Sequence, residues 1–543
     1  MRKLFEYKFL LLIIIIAAAL RLWQLGVVPP SPDWDETALG YNAYSILRTG
    51  RDEYGTWFPL TIRSFDDYKP PLYVYLAIPS IALFGLNTPA VRLPSVIMGI
   101  VAVIGTYFLA KELLDKREKE NRYIPYLASL LLAISPWHIQ FSRIAFEANV
   151  GVTLNILGVV FFLKGLRLRY FLWFSAFIFA LSLYAYHSER IFVPLLLLVL
   201  ALSYWKNLMN VRKSIFIGIV IGMVTAAPLV PVFFNQNTLM RLRGTSSLAD
   251  QTGLLARTVK KLDDDKISHN YIAMIFDNRR LVWAKTLVDG YLSHYSFKWL
   301  FLNGDNARHH APDMGMLYLV ELPFLLWGMY KVGRQGGVAA KVLFGWFLIA
   351  PIAASPTTEL PHGIRTLVFL PTFQLFTAVG FSQLLIWAQQ KKKDFHSAIL
   401  FIVLFLFLCN VGYYLHMYFV HTNREYSKYW QYGYQQVVSY TQKNRDKYKK
   451  IVVSTKLEQP HMFFLYYLKY DPARYLKEGG TASGGFAEVR NKFDIYEFRP
   501  IHWEKEVRDG ATLYIGMPGE IPVAPLQTIY YLDGTEAMRI ADK

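Results

Sequence analysis

Long apolar runs recur along this chain, and no other feature constrains its fold more. The first, FLLLIIIIAAAL at residues 9–20, extends to about Val28, longer than a soluble core helix needs and long enough to span a bilayer. Runs of this kind fall at 8–28, 90–110, 123–141, 147–163, 170–187, 191–205, 214–234, 316–332, 341–354, 366–388 and 395–419, which gives about eleven crossings. With 54% of its 543 residues hydrophobic, the chain reads as a polytopic α-helical membrane protein. The net charge of +18 does not point to nucleic acid. Lys and Arg concentrate in short loops between apolar runs, such as KELLDKREKENR at 111–122, KGLRLR at 164–169, KNLMNVRK at 206–213 and QQKKKD at 389–394. That is the positive-inside pattern of a plasma-membrane protein, with the N-terminus (Arg2, Lys3) cytoplasmic. The N-terminal run also resembles a secretory signal, but the many later spans favour an uncleaved first helix. The single cysteine, Cys409, excludes an intramolecular disulfide.

An odd number of crossings puts residues 421–543 outside. There KKIVVST (449–455), DGATLYIG (509–516) and QTIYYL (527–532) read as strands and YWQYGYQQVVSYTQ as a helix. The expected organisation is a membrane module at 1–420 and a small extracytoplasmic α/β domain at 421–543. Within the module, 29–71 forms a first outer loop and 235–312 a long polar outer loop. The segment 72–85, short and interrupted by Pro79, reads as interfacial or re-entrant.

The first outer loop carries the densest chemistry. It holds Asp33, Asp35, Glu36, Asp52, Glu53, Asp66 and Asp67 and closes on Lys69-Pro70-Pro71. Carboxylates beside a membrane are costly to desolvate and mark chemistry or ion binding. DETALGYNAYSILR (35–48) has the spacing of an amphipathic helix lying along the interface, with its acids in the first turn. A carboxylate of the Asp35-Glu36 pair suits general-base work, although the same pair also suits a helix cap. Lys69 suits a lipid phosphate or a generic head group. Glu147 is either a second active-site acid or the ion-pair partner of Arg143. Arg190 and Arg365, beside His187 and His362, each open an outer span end and together suit bidentate phosphate binding. His309, His310 and Asp313 lack the HxxxH or HExxH spacing of a zinc site, and no phosphate-binding glycine loop is present.

An apolar first span, a DE-bearing outer loop, KPP at 69–71 and AVRLPS at 90–95 together resemble the polyprenyl-phosphate-sugar-dependent glycosyltransferases of the GT-C fold. The nearest groups are the protein O-mannosyltransferases and the lipid A aminoarabinose transferases. The resemblance covers about residues 1–390. It implies a GT-C-like module in which Asp35 is the catalytic carboxylate, Lys69 and Arg365 meet the donor phosphate, and Glu147 lies near the site. It also implies a polyprenyl-phosphate-linked sugar as donor and a protein, glycolipid or wall-polymer hydroxyl as acceptor, as in protein glycosylation or cell-envelope assembly. Tyr68 stands where the lipid A branch has an acid, a departure that weakens the carry-over of that branch's metal site and of its acceptor. On the chemistry, Asp35 would act as base with inversion, Lys69, Arg365 and Arg190 would stabilise the leaving phosphate, and no cofactor is required. A divalent cation (Mg or Mn) enters if the donor is a pyrophosphate. Two other readings stand beside this one: a flippase of lipid-linked sugars, which would place charges mid-membrane and show repeated halves, and a non-catalytic assembly protein acting through its tail.

Overall fold

Helices dominate the computed structural model, which describes residues 2–65, 67–114, 122–233, 246–247, 252–390, 394–482 and 491–543. Asp66 and most of 234–251 lie outside the described residues, and with them the beginning of the expected long outer loop. Five described helices are long and apolar enough to cross a membrane: Thr88–Leu114, Ala148–Gly165, Arg212–Val232, Leu367–Gln389 and Phe395–Tyr426. The expected unbroken span at 123–141 is instead two helices, α5 (Ile124–Ile134) and α6 (Pro136–Ser142). Ser135 separates them: its side chain accepts from the His138 amide and Pro136 opens the second helix, a pairing that stops one helix and starts another. The run at 170–187 likewise ends as a helix at Ser182.

In chain order the segments that build the site are α1 (Arg2–Leu22), α2 (Trp34–Thr49), a hairpin of β1 (Ile62–Ser64) and β2 (Asp67–Lys69), α3 (Leu72–Phe84), α4 (Thr88–Leu114) and α7 (Ala148–Gly165). α3 continues through Pro79 for its whole length. α2 begins where expected, with Asp33 as N-cap accepting from the Glu36 amide at 2.8 Å, and Gly50 ends it in the left-handed region at φ 71°. It is not a half-exposed amphipathic helix, however. Ten of its residues are buried, because the tail covers its outer side.

Six strands between Lys450 and Ala541 form a mixed sheet of order β4-β5-β3-β6-β8-β7. Here β3 is Lys450–Val453, β4 Lys492–Phe493, β5 Tyr496–Phe498, β6 Thr512–Gly516, β7 Gln527–Tyr530 and β8 Glu536–Ala541. β3 runs parallel to both neighbours. Its helix Pro460–Leu468 packs on α2, and one buried cluster joins Leu39 and Tyr41 of the loop to Phe463, Phe464 and Tyr466 of the tail. Polar ties reinforce the seam: Tyr41 donates to the Tyr470 carbonyl at 3.2 Å and Thr481 donates to Glu53 at 2.6 Å. The tail and the segment 29–71 therefore share a hydrophobic core.

Candidate active site

Adjacent helical residues point about 100° apart, and that rotation separates the two acids of the DE pair. Asp35 opens into a cavity of about 190 Å³. Glu36 turns inward and is fully buried, bidentate to Arg92 at 2.8 Å on both oxygens and accepting from the Ala145 amide at 2.8 Å. Glu36 is thus removed from the catalytic set: its oxygens are committed and it does not line the cavity. It instead pins the 143–147 turn, so that Glu147, at the start of α7, lines the same cavity as Asp35.

The hairpin makes a second selection. Side chains alternate along a strand, so Asp67 and Lys69 face the cavity while Tyr68 does not line it. The Tyr68 carbonyl instead lies 3.0 Å from His187 Nε2. The amide of Leu72 donates to the Tyr184 carbonyl at 3.1 Å, tying the end of the loop to the 183–187 turn. Lys69 is buried and bonded through its ammonium to Asp35. Burial works against that charge, but Asp35, Glu147 and Asp67 raise the Lys69 pKa and hold it protonated.

Two guanidiniums complete the cavity. Arg365 is held by Thr357 Oγ1 at 2.8 Å and the Thr358 carbonyl at 2.6 Å. Arg308, which the sequence did not single out, bonds Asp33 at 2.7 Å and lies over the Trp34 ring at 5.0 Å. Two expected members are elsewhere. Arg190 does not line the cavity, and its Nε donates to the Leu183 carbonyl at 3.4 Å. Arg143 does not line the cavity either. It is buried, donating to the Leu20, Arg21 and Val28 carbonyls at 2.7–3.0 Å and to the Tyr418 hydroxyl at 3.2 Å. It locks the exit of the first helix, where carbonyls have no helical partner.

His362 and His309 also line the cavity, while His310 does not. With Asp305 they bring one ligand atom each within 4.8 Å of one another. Asp305 Oδ2 accepts from the Gly363 amide at 2.6 Å and lies 3.0 Å from His309 Nδ1. Asp305 Oδ1 and His362 Nδ1 are buried without a hydrogen-bond partner. Burial, seconded by His309 and Arg365, pushes His362 well below the usual 6.5 and keeps it neutral. Burial alone would raise Asp305, but His309 and the Gly363 amide hold it down to about 2. A carboxylate with two imidazoles is a donor set for a divalent cation such as zinc. Spacing along the chain gave no sign of it, because the three side chains come from two separate loops.

The same architecture occurs in solved structures. The ArnT structure from Cupriavidus metallidurans bound to undecaprenyl phosphate matches with a TM-score of 0.54 at 13% identity, over 98% of this chain and 96% of that one. Its apo state gives 0.53 at 13% identity, over 99% and 98%. The archaeal oligosaccharyltransferase AglB from Archaeoglobus fulgidus, in complex with an inhibitory peptide and a dolichol-phosphate, gives 0.52 at 13% identity over 86% of this chain. Only 64% of its own length is covered, just under two thirds. The fold is therefore the GT-C fold, the architecture of membrane-embedded glycosyltransferases. Within it, residues 68–231 match the family model of dolichyl-phosphate-mannose-protein mannosyltransferases. The search of curated proteins finds no match.

Proposed function

We propose that this protein transfers a sugar from a polyprenyl-phosphate carrier to a hydroxyl acceptor at the outer face of the membrane, its chain crossing the bilayer about eleven times. The observation that carries the reading is one cavity holding Asp35 against Lys69, with Glu147, Arg308 and Arg365 around them. Acid and cations in one partly dry pocket are what displacement at an anomeric carbon demands. The acceptor oxygen bonds to that carbon as the carbon–phosphate oxygen bond breaks, so negative charge grows on the departing lipid phosphate. Lys69, Arg365 and Arg308 stabilise that charge, while Asp35 takes the acceptor proton and the anomeric centre inverts. In the ligand-free protein Lys69 and Asp35 neutralise each other; donor phosphate, by attracting Lys69, would release the base. A divalent cation held by Asp305, His309 and His362 would add Lewis-acid stabilisation of the phosphate. The donor-lipid class is supported by the undecaprenyl phosphate and dolichol-phosphate bound in the neighbouring structures.

The test is a transfer assay with radiolabelled polyprenyl-phosphate-sugar in vesicles of fixed orientation. Asp35→Asn should abolish transfer yet bind lipid phosphate. Undiminished turnover by that variant would remove Asp35 as the base, and donor movement across the bilayer without transfer would make the protein a flippase.

A further inference from the structure

Behind the Asp35 cavity lies a second one, of about 300 Å³, at the seam between the membrane module and the tail. Asn306 and Arg308 line both, and Trp34 of the second precedes Asp35 of the first. The second cavity is therefore the next space an acceptor would occupy while presenting its hydroxyl to Asp35. Its size falls at the lower end of small-ligand sites, about 300–1,000 Å³.

The tail supplies most of its wall: Lys428, Tyr429, Gln431, Lys456, Glu458 and Tyr531. Two features point to a ligand. Gln431 is only 8% exposed, and its Oε1 is buried without a hydrogen-bond partner, while the Nε2 donates to the Tyr429 carbonyl at 3.2 Å and to Glu458 Oε2 at 3.4 Å. A buried amide oxygen left unpaired carries a desolvation cost unless something satisfies it. Gln431 and Glu458 also hold left-handed backbone, at φ 45° and 62°, with Gln459 at 54°. Non-glycine residues seldom adopt that conformation, and it gathers at ligand sites.

We infer that this seam cavity is the acceptor subsite and takes a sugar ring of a glycan acceptor; the inference rests on the glycosyltransferase reading. Aromatic faces at Trp34, Tyr429 and Tyr531 suit the C–H faces of a pyranose. The amide of Gln431, the carboxylate of Glu458 and the ammoniums of Lys428 and Lys456 supply donors and acceptors for ring hydroxyls. A peptide acceptor would more naturally use a strand edge or an apolar groove.

The full-length protein in nanodiscs would be applied to an array of immobilised mono- to tetrasaccharides and, in parallel, to an array of Ser- and Thr-bearing peptides. Undecaprenyl phosphate binding would be measured separately. Saccharides should bind, and Tyr429→Ala and Lys428→Ala, both exposed positions, should each weaken that binding tenfold or more. Gln431→Asn, which tolerates left-handed backbone, should weaken it as well. The tail variants should keep wild-type undecaprenyl phosphate binding. No saccharide binding by the wild type, or no loss in Tyr429→Ala, overturns the subsite. Peptide binding with the same variant sensitivity overturns the saccharide class. Saccharide binding that persists in a protein unable to bind undecaprenyl phosphate would break the transferase reading and leave the subsite standing.

Discussion

Two clusters of charge sit a few residues apart beyond the C-terminal end of the first helix, with nearly the same inventory and opposite behaviour. One is the Asp35 cavity, where Lys69, Glu147, Arg308 and Arg365 border open space. The other is the Glu36–Arg92 knot beside Arg143 and Arg21, all of it buried. Arg92 spends its donors on Glu36 and the Leu25, Pro29 and Ser31 carbonyls, at 2.8–3.1 Å. Arg21 bonds His138 at 2.7 Å and the Ala133 carbonyl at 2.9 Å. What separates them is saturation. In the knot every Glu36 oxygen and most guanidinium hydrogens have fixed protein partners, which suits a fastening. In the cavity the charges retain access to a ligand, which suits chemistry.

Substitution should split the clusters cleanly. The largest effect on rate belongs to Asp35→Asn, about 10²–10⁴-fold lower transfer for a lost general base, with thermal unfolding unchanged. A parallel fall in melting temperature would mean that Asp35 fastens too. Glu36→Ala should do the reverse, costing about 3–5 kcal/mol by stranding the buried Arg92 and showing first as lost folded yield. Normal folding with lost transfer would return Glu36 to the catalytic set. Lys69→Ala should weaken undecaprenyl phosphate binding by about tenfold or more, the worth of one charge-assisted contact, and transfer accordingly. His309→Ala and His362→Ala should each abolish zinc uptake by the purified protein, read by elemental analysis. Uptake surviving in both would empty that site of meaning.

A smaller effect probes the seam with the tail. Burial raises the Glu53 carboxyl to about 7, against the hydrogen bonds from Thr481 and Asn42. The folded protein therefore holds a proton there that the unfolded chain, at 4.5, has given up. Stability from this group is present below the unfolded value and declines as pH rises toward about 7. Between about pH 5 and pH 8 the melting temperature of the wild type should fall more than that of Glu53→Gln; equal slopes would refute the assignment.

Much of this was visible in residue order. Apolar runs and basic loops gave the membrane class, and the DE pair with KPP marked the loop that supplies Asp35, Asp67 and Lys69 to the cavity. The strand runs near 450, 512 and 527 stand in the tail's sheet. Arg308 and Asp305 were missed because nothing about a lone Arg or Asp in a polar loop distinguishes it. Arg190 was grouped with Arg365 only because both open spans beside histidines, a pattern that says nothing of direction. The acceptor seam had no signature at all, since Trp34 and Tyr429 meet only when the tail folds back on α2.

The sequence by itself determined the solvent this protein lives in and the segment that carries its acids, because hydropathy and loop charge act locally and add up along the chain. The tertiary structure alone decided which carboxylate is available and which cations reach it. A helical turn aims Asp35 and Glu36 apart, a strand alternation aims Lys69 and Tyr68 apart, and packing between distant segments determines what each one meets.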